Sequence, residues 1–168
     1  KAAADKEGQW LPEQVAFLSR LSFWFSAVVG LGMAVAGPVL IGPLYGERFQ
    51  ASIGPLLLLL PGIVLFSVTI ILSGQLAGVG KQIYTTVVAA VAFLCTLALD
   101  LLLIPRWGAN GAAVASTCAY SLSMVLTWYF FQRIHPAITL CDLLWLQRRD
   151  WHSLHTVFQR TLIKIGVQ

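Results

Sequence analysis

The chain has 168 residues, of which 58% are hydrophobic and 11% charged, and its formal net charge is +4. A soluble domain carries about a quarter charged residues, so this composition excludes an ordinary water-soluble fold. Its apolar residues stand in long blocks, and crossing a bilayer core about 30 Å thick takes roughly 20 of them in helical form. Four blocks meet that length, residues 17–41, 55–78, 83–104 and 110–131. They predict an all-α integral membrane bundle of four transmembrane helices, residues 17–131, between a cytoplasmic lead-in (1–16) and a cytoplasmic amphipathic tail (132–168).

The chain opens "KAAADKEGQWLPEQ", without the short apolar run and small-residue cleavage site of a signal peptide. It opens on Lys1 and not Met, which predicts that it is the tail of something longer. In residues 9–20, Trp10, Leu11, Val15, Phe17 and Leu18 alternate with Gln9, Glu13, Gln14 and Arg20, and Trp10 suits a membrane interface. The first span is rich in small residues. Gly30 with Ala34, and Gly32 with Ala36, stand four apart, a spacing that lets a second helix approach closely. Pro38 predicts a kink or an early stop, and "GPLYGERFQASIG" (42–54) then reads as an outer loop.

The second span carries Pro61-Gly62 about a quarter of the way in. Such breaks survive in membrane helices, either as static kinks or as bending points of transporter helices. Ser73, Gly74 and Gln75 add polarity near its inner end, and "GVGKQ" is a tight inner turn. In the third span Thr96 and Asp100 stand four apart, hence on one helix face. Pro105 is expected to end that helix and Asn110, a favourable capping type, to open the next. Gly111, Ala112 and Ala115 then permit tight packing, and Ser116, Tyr120, Ser123 and Thr127 form a polar stripe. Trp107 and the Trp128–Phe131 cluster suit the outer and inner interfaces.

In the tail, Trp151, Leu154, Phe158, Leu162 and Ile165 recur every three or four residues opposite His152, His155, Gln159, Arg160 and Lys164. This pattern predicts an amphipathic helix on the membrane surface, drawn to anionic lipid by Arg148, Arg149, Arg160 and Lys164. The tail's hydrophobic face and its place after four spans explain those basic residues, so no nucleic-acid partner is expected.

Lys and Arg favour the cytoplasmic side of membrane proteins. With the N-terminal segment inside, Lys1, Lys6, Arg20, Lys81, Arg133, Arg148, Arg149, Arg160 and Lys164 lie inside, and Arg48 and Arg106 outside. Both ends are therefore expected in the cytoplasm, as in a multi-pass protein of a bacterial inner membrane.

No catalytic constellation is legible: there is no Gly-rich phosphate loop, nucleophile elbow or helical HExxH pair. The chain is expected not to be an enzyme and to hold no metal or cofactor. Cys95, Cys118 and Cys141 are isolated and read as small apolar fillers. Asp100 is the sharpest residue, because a charge at the centre of a membrane helix costs roughly 2.5–3.5 kcal/mol on insertion scales. It stands either at a cavity or helix contact, or at a solvated helix end within reach of Arg106.

Three stretches in order carry a resemblance: "LYGERFQASIGPLLLLLPGIVLF", "LSGQLAGVGKQIYTT" and "LLLIPRWGANGAAVASTCAYSLS". Together they resemble the C-terminal part of bacterial polysaccharide flippases of the multidrug/oligosaccharidyl-lipid/polysaccharide exporter superfamily. That resemblance implies a half-lobe of a larger two-lobed transporter, working by alternating access and moving lipid-linked oligosaccharide outward. It also implies missing N-terminal helices of the same protein as partners, besides substrate and membrane lipid. Pathway candidates under it are Asp100, Arg20, Gln75, Thr96, Ser116 and Tyr120. Arg20 is the basic residue nearest a span's inner end, while the acidic Asp100 departs from the amide common in the family. Two alternatives stand beside it: a cation-coupled multidrug exporter of the same superfamily, and a four-helix membrane scaffold for a polysaccharide synthase.

Overall fold

A computed structural model describes residues 12–136 and 138–144, and among them the chain is helical throughout apart from its turns. The elements are α1 (Pro12–Tyr45), a 3-10 turn (Glu47–Ser52), α2 (Ile53–Gly78), α3 (Gln82–Trp107), α4 (Ala109–Ile134) and the short α5 (Leu140–Leu144). Four of them are long and apolar enough to cross a membrane. By helix length and composition this is a membrane protein. At 1.5 Å per residue the 34-residue α1 is about 51 Å long, well over a bilayer core, so it tilts or projects. Trp10 and the tail residues Trp151, Leu154, Phe158, Leu162 and Ile165 lie outside the described residues.

The helices outrun the spans expected for them. Pro38 neither stops nor shortens α1, which carries both Pro38 and Pro43 on to Tyr45. The loop expected at 42–54 is the last turn of α1, the 3-10 turn and the first residues of α2. Likewise Pro105 lies inside α3, which ends two residues later at Trp107. A proline removes one backbone donor, a defect that membrane helices tolerate when neighbours cover the freed groups. The real terminators are glycines. Gly46, Gly80 and Gly108, one at each connection between long helices, have φ of 86°, 74° and 55°, angles that β-carbon sterics deny to most residues. At the α2 end, Gly80 N–H bonds Ala77 O and Lys81 N–H bonds Leu76 O at 2.8 Å, closing off the last carbonyls. The cap of α4 is Gly108, not Asn110. Asn110 instead lies over Gly54 of α2, where a β-carbon would meet its Oδ1 at 2.7 Å.

The four long helices pack side by side in the order α1–α2–α4–α3, with α2 against α4 the most extensive contact and α3 only grazing α2. We call the end where α1 begins proximal and the end of the 3-10 turn distal. The hydrophobic core is proximal: Val15 and Ala16 of α1, Val68 and Leu72 of α2, Met124 and Phe131 of α4, and Ile138 and Leu143 beyond α4. Phe131, expected at the interface, is fully buried there, because the segment after α4 folds back to cover it. That return is tied down by Trp24, whose Nε1 donates to Leu144 O at 3.1 Å.

Small residues divide by position. A β-carbon on Gly62 would meet the Thr117 Cα at 2.8 Å, and one on Gly111 the Leu103 carbonyl oxygen at 2.5 Å, so α4 touches both α2 and α3 at backbone distance. Gly30 faces Val64 of α2, whereas a β-carbon on Gly32 would meet nothing within 4 Å among the described residues.

Candidate functional site

The six pathway candidates fall in three places. Arg20 and Gln75 are proximal and buried, each 6% exposed, on α1 and α2. Gln75 lines a cavity of about 250 Å³ with Val15, Leu18, Ile70, Ile71 and Gly74. Around this level the core carries further buried polar groups, Ser19, Thr69, Ser123 and Thr127. Ser123 and Thr69 are satisfied within their own helices, by Ala119 O at 2.9 Å and Leu65 O at 3.4 Å, whereas Ser19 Oγ, Thr127 Oγ1 and Trp128 Nε1 have no hydrogen-bond partner among the described residues.

Ser116 lies on the distal side. There α1 and α4 part over α2, leaving a groove of about 590 Å³ lined by Met33, Ile41, Tyr45, Leu56, Ala112 and Ser116 among others. Small side chains at Ala109, Ala112 and Ala113 make the α4 wall shallow. Tyr120, one turn on, does not face the groove's lining. Its ring packs on Phe66 of α2 with centroids 4.7 Å apart, beside Gly62. The polar stripe of α4 thus turns toward α2, and Ser116 is the member of it that reaches the groove.

Thr96 and Asp100 sit on the half-buried strip of α3 that runs through Val88, Ala92, Thr96, Leu99 and Leu103 toward α4. Leu97, Leu101 and Leu102 on the other side are 47%, 70% and 59% exposed, so Asp100 does not stand on the open face. Thr96 spends its hydroxyl on Ala92 O at 2.9 Å rather than on Asp100. Asp100 Oδ1 is buried with no hydrogen-bond partner among the described residues. Arg106, which the sequence offered as its partner, is exposed and does not supply one. A carboxylate oxygen desolvated without a donor is costly.

Sequence reasoning missed three features. Thr117 Oγ1 donates to Leu58 O at 2.7 Å across the α2–α4 contact, one turn before Pro61. The proline and the hydroxyl lie 56 residues apart in the chain, so nothing local links them. The second feature is His135, which closes α4 with its ring 5.0 Å from Phe131 and its Nε2 buried without a partner among the described residues. Burial pushes its pKa below the ordinary 6.5. The third is a corner of aromatic and basic side chains where α3 starts and α4 ends. Tyr84 stacks on Phe130 with centroids 4.7 Å apart and planes at 13°, while Arg133 bonds the Tyr129 hydroxyl. Among the described residues no group of His, Cys, Asp and Glu is placed to hold a metal ion.

The chain is similar to a polysaccharide biosynthesis protein. It is 26% identical over 98 residues to the capsular polysaccharide biosynthesis protein CapF of Staphylococcus aureus, a match covering 58% of this chain and 25% of that protein. The matched stretch thus spans about a quarter of the length of its curated relative. No family model matches the chain, and no solved structure matches it.

Proposed function

We propose that this chain is part of a transporter that moves lipid-linked oligosaccharide across the bacterial inner membrane by alternating access, with its proximal end in the cytoplasm. The observation that carries the reading is the similarity of a chain with four membrane-length helices to a capsular polysaccharide biosynthesis protein. The shape supports it. The side-by-side packing leaves α1 and α3 apolar on their outer sides, where Phe25, Val28, Leu31, Phe93 and Leu101 are all more than 60% exposed, and such edges suit a larger helical assembly. The distal groove, open between α1 and α4, suits a wall of a cavity that opens to one side. No catalytic step is assigned to any residue.

The test is complementation. The gene that encodes this chain in full, expressed in a strain lacking its polysaccharide flippase, restores surface polysaccharide, and an Arg20→Ala variant restores less. If the intact gene restores none, the reading fails. The buried Oδ1 of Asp100 favours a second reading, a cation-coupled exporter. A deletion strain that becomes drug-sensitive while keeping its surface polysaccharide selects that one.

A further inference from the structure

The aromatic corner between α3 and α4 has a chemistry that neither the bundle core nor the proposed transport uses. Tyr84 on α3 and Phe130 on α4 stack nearly parallel, which pins the start of one helix to the end of the other at the same level. Lys81 lies three residues before Tyr84, and Arg133 three residues after Phe130. Because the helices are antiparallel, both cations fall on the same side of the stacked pair, about 4.5 Å further toward the proximal end. Both side chains are exposed.

Arg133 is held in place. Its Nη2 donates to the Tyr129 hydroxyl, and its guanidinium carbon lies 4.8 Å from the Tyr129 ring centroid. A guanidinium fixed this way has lost part of its rotamer freedom before any ligand arrives, and its remaining N–H groups fan out in one plane. The phenol, accepting from arginine, keeps its own proton to donate. No carboxylate on α3 or α4 competes: the acidic residue of these helices is Asp100, about five turns away along α3. Two cations, a phenol and an aromatic floor therefore lie at one level, where two membrane-length helices reach the end of their apolar run.

We infer that this corner binds the phosphate group of an anionic membrane lipid, with Arg133 and Lys81 on the phosphate oxygens, Tyr129 donating beside them, and the lipid's chains running along the helices. A planar guanidinium fork matches phosphate oxygens in pairs, and tyrosines favour the headgroup depth where that phosphate lies. A free phosphate would gain the same charges but leave the apolar walls of the corner unused, so the ligand is the lipid. The site rests on α3 and α4 and does not depend on what the protein transports.

The whole polypeptide, purified in a neutral detergent, is titrated with dioleoylphosphatidylglycerol or dioleoylphosphatidylcholine, and bound lipid is counted by native mass spectrometry. One phosphatidylglycerol binds in preference to phosphatidylcholine. Arg133→Gln and Lys81→Gln each weaken it about fivefold, and together about thirtyfold, the loss of one near-surface cation apiece. Tyr129→Phe, which keeps the ring but frees the arginine, weakens it less, and Arg133→Lys recovers only part of the Arg133→Gln loss. Arg48→Gln with Arg106→Gln, at the distal end, leaves it unchanged. Equal binding of the two lipids overturns the site, as does undiminished phosphatidylglycerol binding in the double variant. So does loss of binding in Arg148→Gln with Arg149→Gln alone, or displacement of the lipid by millimolar inorganic phosphate. Unchanged circular dichroism in each variant separates lost binding from lost fold.

Discussion

The proximal and distal halves of this bundle use the same helices and differ in what fills the space between them. In the proximal half, α1, α2 and α4 close around Val15, Leu72 and Phe131, and the return after α4 adds Ile138 and Leu143 as a cover. In the distal half no described residue returns to fill the gap, and α1 and α4 stand apart over a groove of about 590 Å³. What differs is one short segment, the return through α5, and not the hydrophobicity of the spans. Among the described residues the bundle is thus filled at one end and open at the other.

The sharpest way to break the contrast is to empty the proximal core. Phe131→Ala removes a fully buried ring, a change that costs about 3–5 kcal/mol when the site cannot collapse. Val35→Ala, on the open side of α1 and 67% exposed, changes stability by less than about 0.5 kcal/mol. Thermal unfolding in detergent measures both, and similar losses would erase the proposed difference between filled and open regions.

Next comes the α2–α4 seam that joins the two halves. Gly62→Ala forces a methyl against the Thr117 backbone at 2.8 Å, and overpacking of this kind costs about 1–3 kcal/mol. Gly32→Ala, with nothing within 4 Å, should be neutral or slightly stabilising for a helix, since alanine is the better helix former. A melt in which both glycines tolerate alanine would mean that the seam is loose. Thr117→Val removes the hydroxyl that bonds Leu58 O at 2.7 Å. Interhelical bonds in membranes average about 0.6 kcal/mol, so the expected loss in the same melt is small, and one above about 2 kcal/mol would show a stronger dependence on that bond.

The smallest effect is set by pH at the edge of the proximal core. His135 is held below its ordinary pKa of 6.5 by burial, so the folded state takes up its proton later than the unfolded chain as pH falls. Its contribution is intact above 6.5 and is lost as pH falls from there through the depressed folded value. The melting temperature of the wild type therefore drops across that window, and His135→Gln flattens the drop. An unchanged slope in the variant would assign the pH dependence to other groups.

Much of the architecture was legible because its cause is local. A block of apolar residues of membrane length is helical wherever it sits in the bilayer, since no other backbone state satisfies its own hydrogen bonds there. Four long apolar helices formed for that reason, each reaching beyond the block expected for it, and Gly111 packs as tightly as its neighbours implied. The prolines misled because a missing N–H matters less where neighbouring groups are fixed. Pro38, Pro43 and Pro105 sit inside helices, while glycines in the left-handed region do the stopping.

Amino-acid order alone determined the class of this protein, four membrane helices on an all-α plan, and which residues carry charge into them. Only the tertiary structure decided which faces meet. It turned Gly30 inward and Gly32 outward, drew Phe131 from an expected interface into the core, and set Tyr120 against Phe66 instead of the groove. It also left Asp100 half-buried on the side of α3 toward α4, with one oxygen unsatisfied among the described residues. Periodicity records that one face of a helix differs from another. The partner of that face lies tens of residues away, and is chosen by the fit of many side chains at once.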